Sequence, residues 1–309
     1  MSALMLVVAI LAQSVAPAPP SPAPEYVPQR VYDTRRGAFT DFESLVADLA
    51  RADVVFVGEQ HDDPRTHHLE EALLAGLLRR KLAPTVSLEM FERDVQGAVD
   101  RYLAGSMGEP QFLQESRPWP RYATDYRPLI EMAKREGWTV IAANLPRRVA
   151  SALARSGQPA IERLPAADRE MMAAQLECPH DAYFARFGEA MADHSPSDSR
   201  ITGAAPAPPT AEQRASTDRY YWSQCAKDET MAESVARAVT ARTGKAGPVV
   251  HFTGSFHTDF GAGTAERTRR RLPGLRVTIV SMLPVADLDT VAPGGEDLKR
   301  ADYLVYTLK

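Results

Sequence analysis

Cysteine is almost absent from this sequence, since only Cys178 and Cys225 occur among 309 residues. Two cysteines exclude a small scaffold held together by several disulfides. None lies near the first residues, so a lipid anchor is unsupported. The two thiols could pair in an exported protein, or they could stay unpaired in a helical region. His180 follows Cys178 closely, but no second ligand pair at a helpful spacing supports a metal site there.

Several well-known enzyme signatures are also missing. The sequence contains no G-x-S-x-G elbow, no Walker A loop, no G-x-G-x-x-G fingerprint and no H-E-x-x-H pair. These absences argue against the enzyme classes that depend on those motifs. The formal net charge is −4, and no long block of lysine and arginine occurs. We therefore expect no nucleic-acid partner.

No apolar run reaches the length of about 20 residues that a membrane-spanning helix needs. Residues 1–12 are apolar but too short, and small residues follow them. This pattern predicts a signal peptide over residues 1–18, with a disordered apolar tail as the alternative. We expect an exported, periplasmic protein with no stable membrane span. Residues 19–35 are predicted to form a Pro/Ala-rich linker, and residues 36–309 a single domain.

The most informative stretch is VVFVGEQHDD at residues 54–63. A short apolar run closed by glycine is typical of a buried parallel strand whose carboxyl end opens into a turn. Residues 249–257, VVHFTGSFH, repeat the order of apolar strand, glycine, two residues and histidine. The two G-x-x-H units bring His61 and His257 to the ends of two predicted strands.

Further strands are predicted over 85–89, 139–143, 275–283 and 303–308, with helical periodicity between them. Strands that alternate with helices indicate an α/β fold with a mostly parallel central sheet flanked by helices. A mostly helical section, about 151–244, is predicted to form a cap inserted before the last strands. A mobile insert is predicted within it, at about 194–210.

A polar residue follows almost every predicted strand: Glu59 with His61, then Glu89, Asn144 and His257. Because the carboxyl ends of parallel strands meet at one edge, we expect these side chains to converge there. His61, Glu89 and His257 could hold a divalent metal such as zinc or iron. Alternatively, the group could perform acid–base chemistry, or it could be a purely structural hydrogen-bond network.

Other histidines and acids receive structural interpretations. His67 and His68 begin a helix and are expected to be exposed or to lie behind the site. His251 is expected to be a core histidine bonded to the backbone. Asp62 and Asp63 precede a proline and could cap the following helix.

Several short motifs follow one another along the chain: GEQHD at 58–62, LEMFER at 88–93, YRPL at 126–129, ANLPR at 143–147, Gln224, Asp228, Met231-Ala232 and GSFH at 254–257. Taken in order, these motifs resemble those of the ChaN-like haem-binding uptake family. The resemblance spans about residues 40–285. The family belongs to the wider Tiki/TraB group and is similar to erythromycin-esterase-type proteins.

The resemblance implies an exported protein that binds haem for iron uptake, with the iron held by a tyrosine and a histidine close by. Tyr126 lies in a family motif, and the other candidate tyrosines are Tyr122, Tyr183, Tyr220 and Tyr221. The haem propionates are expected at Arg93 or Arg147. A homodimer is a candidate assembly, and the sequence does not name an uptake partner. The residues expected to contact the cofactor are Glu59, His61, Glu89, Arg93, Tyr126, Arg147 and His257.

The alternative hypothesis is a metal-dependent hydrolase of esterase or peptidase type. In that case His61, Glu89 and His257 would hold the metal or activate water, and Glu59 would act as general base. Asn144 or Arg93 would stabilise an oxyanion.

Overall fold

A computed structural model describes residues 26–193, 209–242 and 247–309. Within these ranges an eight-stranded sheet has the order β2-β1-β8-β7-β3-β6-β4-β5. Strands β3 to β8 pair in parallel, whereas β1 pairs antiparallel with both β2 and β8. The predicted mostly parallel α/β fold is therefore confirmed. The strands are β1 Gln29–Asp33, β2 Ala38–Thr40, β3 Val54–Glu59, β4 Thr85–Glu92, β5 Val140–Asn144, β6 Val249–Gly254, β7 Val277–Val285 and β8 Tyr303–Leu308.

Helices connect the parallel strands and cover both faces of the sheet. Asp63 caps the helix after β3 by accepting from the backbone N–H of Arg65, as the sequence suggested. The described helices are α1 Phe42–Leu49, α2 Pro64–Arg79, α3 Gln96–Leu103, α4 Glu109–Ser116, α5 Tyr122–Asp125, α6 Arg127–Glu136, α7 Arg147–Ser156, α8 Ala160–Arg163, α9 Ala166–Glu170, α10 Ala182–Asp193, α11 Ala211–Ala241 and α12 Gly263–Arg271.

Strand β3 lies between β6 and β7, and all six of its residues are buried. Its side chains alternate between the two faces, because successive residues of a strand point in opposite directions. Val55 and Val57 join the core with helices α1, α2, α3 and α6. Val54 and Phe56 join the second core with α11 and α12. The continuous apolar run is therefore explained by a strand that is covered on both sides.

One predicted boundary needs correction. Residues 29–33, predicted as part of a linker over 19–35, form β1 and pair with β8. This strand has a weak sequence pattern because it carries only two apolar residues among five, Val31 and Tyr32. The predicted signal peptide and most of the predicted insert lie outside the described residues.

One helix of the predicted cap, α11, extends beyond the strand ends onto a face of the sheet. Helix α11 does not simply cover the strand ends, because Ser234 donates to the carbonyl of Ala143 in β5 and Val235 packs against β3 and β6. The carboxyl half of α11 thus lies on one face of the sheet. Its amino half continues beyond the strand ends.

The two cysteines form a disulfide between Cys178, which precedes α10, and Cys225 in α11. This bond resolves the alternative left open by the sequence. In the described ranges, no helix has both the length and the apolar character that crossing a membrane requires.

Candidate functional site

The carboxyl ends of β3, β6 and β4 are adjacent and bring five polar residues together. We call Glu59, His61, Glu89, Asp228 and His257 the edge cluster. β6 separates β3 from β4, and its last residue pairs with Glu59. Both G-x-x-H units therefore reach the same edge of the sheet, as the sequence predicted.

His257 lies between two carboxylates inside the edge cluster. Its Nδ1 is 2.7 Å from Asp228 Oδ1, and its Nε2 is 3.4 Å from Glu89 Oε1. Although burial acts to lower it, these two carboxylates raise the pKa of His257 to about 10. The imidazole is therefore protonated at neutral pH, with both N–H groups directed at carboxylates.

Both carboxylates around His257 have further donors. Glu89 Oε2 accepts from Thr253 Oγ1 at 2.6 Å and from the backbone N–H of Gly254 at 2.8 Å. Burial acts to raise the pKa of Glu89, but the His257 charge holds it well below its usual range. Asp228 accepts from Tyr183 at 2.7 Å and from Thr264 at 2.9 Å. This half of the cluster is a closed, satisfied network.

His61 has a more open environment. Its Nδ1 is 2.5 Å from Glu59 Oε1, and 43% of its side chain is exposed, against 8% for His257. The Trp119 ring stands edge-on to it, with 5.1 Å between ring centroids. Burial acts to lower the pKa of His61, but the hydrogen bond to Glu59 and the charge of Glu89 raise it.

Glycine at position 254 allows His61 to approach the sheet. A Cβ placed on Gly254 would lie 2.6 Å from His61 Nε2. Gly58 has a comparable role, since its Cβ would lie 2.9 Å from the Cα of Ser255 and 2.9 Å from Thr258 Oγ1. The glycines of the two units are thus fixed by close approach of the neighbouring turn and ring.

Tyr126, which the resemblance suggested as an iron ligand, is buried beneath the edge cluster. Its hydroxyl donates to Glu59 Oε1 at 2.9 Å. Burial and the Glu59 carboxylate raise the pKa of Tyr126 far above its ordinary value. In this arrangement the phenol is a neutral donor that holds Glu59 and does not face solvent.

A second group of ionisable residues lies behind Glu59. We call Glu59, His67, Glu70 and Asp125 the inner cluster. His67 is buried behind the site, which is the second of the two positions expected for it, and its Nδ1 is 3.1 Å from Glu70 Oε2. Burial and then the charge of Glu59 raise the pKa of Glu70 well above its usual range. In the sequence, the i, i+3 spacing of His67 and Glu70 on one face of the predicted helix could have indicated that these two side chains meet.

Other predicted site residues lie elsewhere. Arg93 is partly buried; this burial lowers its pKa to about 10, and it donates to Ser234 and to the carbonyl of Thr230. Its guanidinium therefore holds α11. The side-chain oxygen of Asn144 accepts from the backbone N–H of Leu145 at 2.8 Å. Arg147 is exposed at the start of α7.

His251 is a core histidine, as expected, but its partner is a side chain rather than the backbone. Its Nδ1 is 2.9 Å from Ser87 Oγ. Burial lowers the pKa of His251 to about 3, so this imidazole is neutral. It takes no part in the edge cluster.

Sequence comparison decides the family. A family model described as haem-binding uptake, Tiki superfamily, ChaN matches residues 45–268. The chain belongs to this ChaN family. The ordered motifs from GEQHD to GSFH, and the edge cluster they build, are thus features of a ChaN-family chain. No curated protein sequence matches the chain.

Solved structures share the fold at low sequence identity. One structure, described as cofacial haem binding to ChaN of Campylobacter jejuni, has a TM-score of 0.62 and 16% identity, and the match covers 91% of this chain and 97% of that chain. A Bacillus cereus protein has a TM-score of 0.48 and 12% identity, and the match covers 86% of this chain and 90% of that chain. A mutant of the erythromycin esterase EreC has a TM-score of 0.43 and 14% identity, and the match covers 86% of this chain and 78% of that chain. At such identities the first match supports the fold alone.

Proposed function

We propose that this chain binds haem at the carboxyl edge of its sheet, on the side where His61 is exposed. Family membership motivates the proposal. The observation that carries it is a line of residues on α11, namely Tyr220, Gln224 and Asp228. Asp228 and Gln224 both contact His257. Because residues four apart share a helix face, Tyr220 continues this line outward from the edge cluster.

Tyr220 is the tyrosine best suited to bind ferric iron. Of the five candidates, Tyr122, Tyr126, Tyr183 and Tyr221 are buried, whereas 46% of Tyr220 is exposed. A phenolate is an established axial ligand for ferric haem. Exposure also leaves the Tyr220 hydroxyl accessible to an iron centre outside the protein core.

The remaining residues fit a haem on this surface. Glu59 fixes the ring of His61 through Nδ1, which is how a carboxylate orients a histidine near a metal. Ser223 on α11 donates to the carbonyl of Ala150 on α7. The end of α7, not its start, lies beside Tyr220, because a Cβ on Gly157 would be 3.4 Å from Arg219 Cγ. Arg147 lies at the other end of α7. Of the two arginines that the sequence suggested it is the exposed one, and we propose it as the residue that binds a propionate.

The role of the bound group would be storage or transfer of iron-bearing haem, with the iron chemistry supplied by the haem itself. The protein's own residues bind and orient the haem. His257, Glu89 and Glu59 keep the surrounding side chains in place. We propose export as well, because residues 1–12 form an apolar run and a disulfide is typical of oxidising compartments. Fractionation of cells expressing the full chain tests the location.

Hemin titration followed by visible absorption tests the haem proposal. We expect saturable binding by the unaltered chain. Tyr220→Phe should weaken binding at least about tenfold, which corresponds to about 1.4 kcal/mol. Tyr221→Phe is the matched control, because this neighbouring phenol is buried and donates to the carbonyl of Pro179. Equal binding by both variants would contradict Tyr220 as the ligand, and an unaltered chain that does not bind would contradict haem binding altogether.

A hydrolase is the second function that an observation favours. His61 and His257 each contact a carboxylate, and His61 is accessible to a substrate. His61 would act as the base and Glu59 would orient it. A metal held by His61, Glu89 and His257 is disfavoured, because both nitrogens of His257 already face carboxylates. Assays of His61→Gln and Glu59→Gln on ester and peptide substrates test this function, which requires turnover that both substitutions abolish.

A further inference from the structure

The inner cluster combines residues from three elements behind the edge cluster. Glu59 ends β3, His67 and Glu70 lie one turn apart on α2, and Asp125 ends α5. Glu59, His67 and Glu70 each present a ligand atom within 4.8 Å of the other two. All three are buried. No step of the proposed haem function uses His67 or Glu70.

The hydrogen bonds around His67 define which of its nitrogens carries a proton. Its Nε2 is 3.2 Å from the carbonyl oxygen of His61 and 3.4 Å from Asp125 Oδ2, and both of these atoms are acceptors. Nε2 therefore carries a hydrogen. In the neutral imidazole, Nδ1 then presents a lone pair. That lone pair faces Glu70 Oε2 at 3.1 Å and Glu59 Oε2 at 3.8 Å.

Three potential ligand atoms, His67 Nδ1, Glu70 Oε2 and Glu59 Oε2, consequently face one another. Glu59 Oε2 and Glu70 Oε1 are buried and have no hydrogen-bond partner among the described residues. The other oxygen of Glu59 accepts from Tyr126 and contacts His61. Near these carboxylates, the guanidinium of Arg121 binds Asp125. Buried carboxylates without a counter-charge are costly, so either a proton or a metal cation has to compensate this pair.

We propose that the inner cluster is a binding site for one divalent transition-metal ion, held by Glu59, His67 Nδ1 and Glu70. One imidazole and two carboxylates suit zinc or manganese. Ligands about 2.1 Å from one zinc ion lie about 3 to 4 Å apart, and the two distances from His67 Nδ1 fall in this range. Asp125 Oδ2, 3.4 Å from Nε2, supplies the carboxylate that commonly accompanies a metal-binding histidine.

The experiment uses the purified full chain without hemin, loaded with Zn²⁺ or Mn²⁺ alone. Because the cluster is buried, loading is done both by dialysis and by refolding from urea with the ion present. After removal of free ion, we expect about one equivalent of metal per chain and a higher Tm than in the metal-free chain. Glu70→Gln should lose both the retained metal and the increase in Tm. Glu71→Gln, its neighbour on α2, should keep both.

Glu70→Gln also separates a metal site from a cluster that merely holds a proton. The amide has the shape of a protonated glutamate, so the variant is expected to fold, and a proton-holding cluster would respond to it without any metal dependence. Unchanged Tm with and without ion in the unaltered chain, and no retained metal after refolding, would overturn the proposal. Metal that is retained by Glu70→Gln but lost in His257→Gln would also overturn it, because the ion would then lie in the edge cluster.

Discussion

The two G-x-x-H units look alike in sequence but build two different environments. His257 is almost enclosed and lies between Asp228 and Glu89. His61 contacts one carboxylate, Glu59, and leaves nearly half of its side chain exposed. The difference arises from what covers each turn. Helix α11 supplies Asp228 and Gln224 over His257, whereas the edge of the Trp119 ring lies beside His61.

The two environments suit two different roles, a structural one for His257 and contact with a ligand for His61. A histidine whose two nitrogens are both occupied joins α11 to the sheet but has no free site for a ligand. A histidine that is held at one nitrogen and exposed can orient toward one. The repeated motif therefore fixes where the two rings lie, and the covering elements decide what each ring does.

The largest difference between the His257 and His61 environments should be in their contribution to the free energy of unfolding. Asp228→Ala leaves the protonated His257 without its closest carboxylate, and breaking a buried ion pair in this way costs about 3 to 5 kcal/mol. His61→Ala should cost less than about 1 kcal/mol, because its pair is half exposed. Urea unfolding of both variants measures the two values. Equal losses would show that the two histidines are not structurally distinct.

His257, the enclosed histidine, should make the free energy of unfolding depend on pH. Folding raises the pKa of His257 from 6.5 to about 10, so its contribution is complete below pH 6.5 and is lost as the pH rises toward 10. We therefore expect the stability difference between the unaltered chain and His257→Gln to shrink over this range. Urea unfolding at several pH values measures it. A difference that grows with pH would contradict the assignment of an imidazolium.

Gly58 and Gly254, the glycines of the two G-x-x-H units, should differ in how well they tolerate substitution by alanine. Gly58→Ala would push against the Cα of Ser255, and we expect a loss of about 1 to 3 kcal/mol. Gly254→Ala would meet only the far end of the half-exposed His61 ring, so we expect a loss below about 1 kcal/mol. The second variant should nevertheless weaken hemin binding, because it displaces His61. Thermal unfolding and hemin titration of both variants check this pair.

The smallest expected effect concerns the propionate. Arg147→Ala should weaken hemin binding about two- to fivefold, which is the scale of an exposed ion pair. Arg135→Ala is the control, because this exposed residue lies in the last turn of α6, at the opposite edge of the sheet. The titrations should be repeated at high salt, where the difference should diminish. A difference that is independent of salt would argue against a charge contact.

Much of the sheet could be predicted because β3 and β6 are buried on both faces and therefore carry continuous apolar runs. Because β3, β4 and β6 are neighbouring parallel strands, the sheet topology alone brings Glu59, Glu89 and His257 to one edge. The same reasoning could not find β1, whose alternating polar residues suit an antiparallel strand near the edge of the sheet.

The partners of the site were harder to predict because they come from distant helices. Asp228 lies 29 residues before His257, and only its place in a family motif marked it. Nothing in the sequence alone indicates that α11 turns this carboxylate toward His257 and Tyr183. Likewise, Arg93 looked free to bind a ligand, but tertiary packing directs it to Ser234 and Thr230.

Hemin titration of His61→Gln and His257→Gln, at a temperature where both variants are folded, tests the division of roles most directly. We expect that His61→Gln weakens binding and changes the visible spectrum, whereas His257→Gln binds hemin with the spectrum of the unaltered chain. The opposite pattern would contradict it, since His257 would then be the histidine that faces the haem.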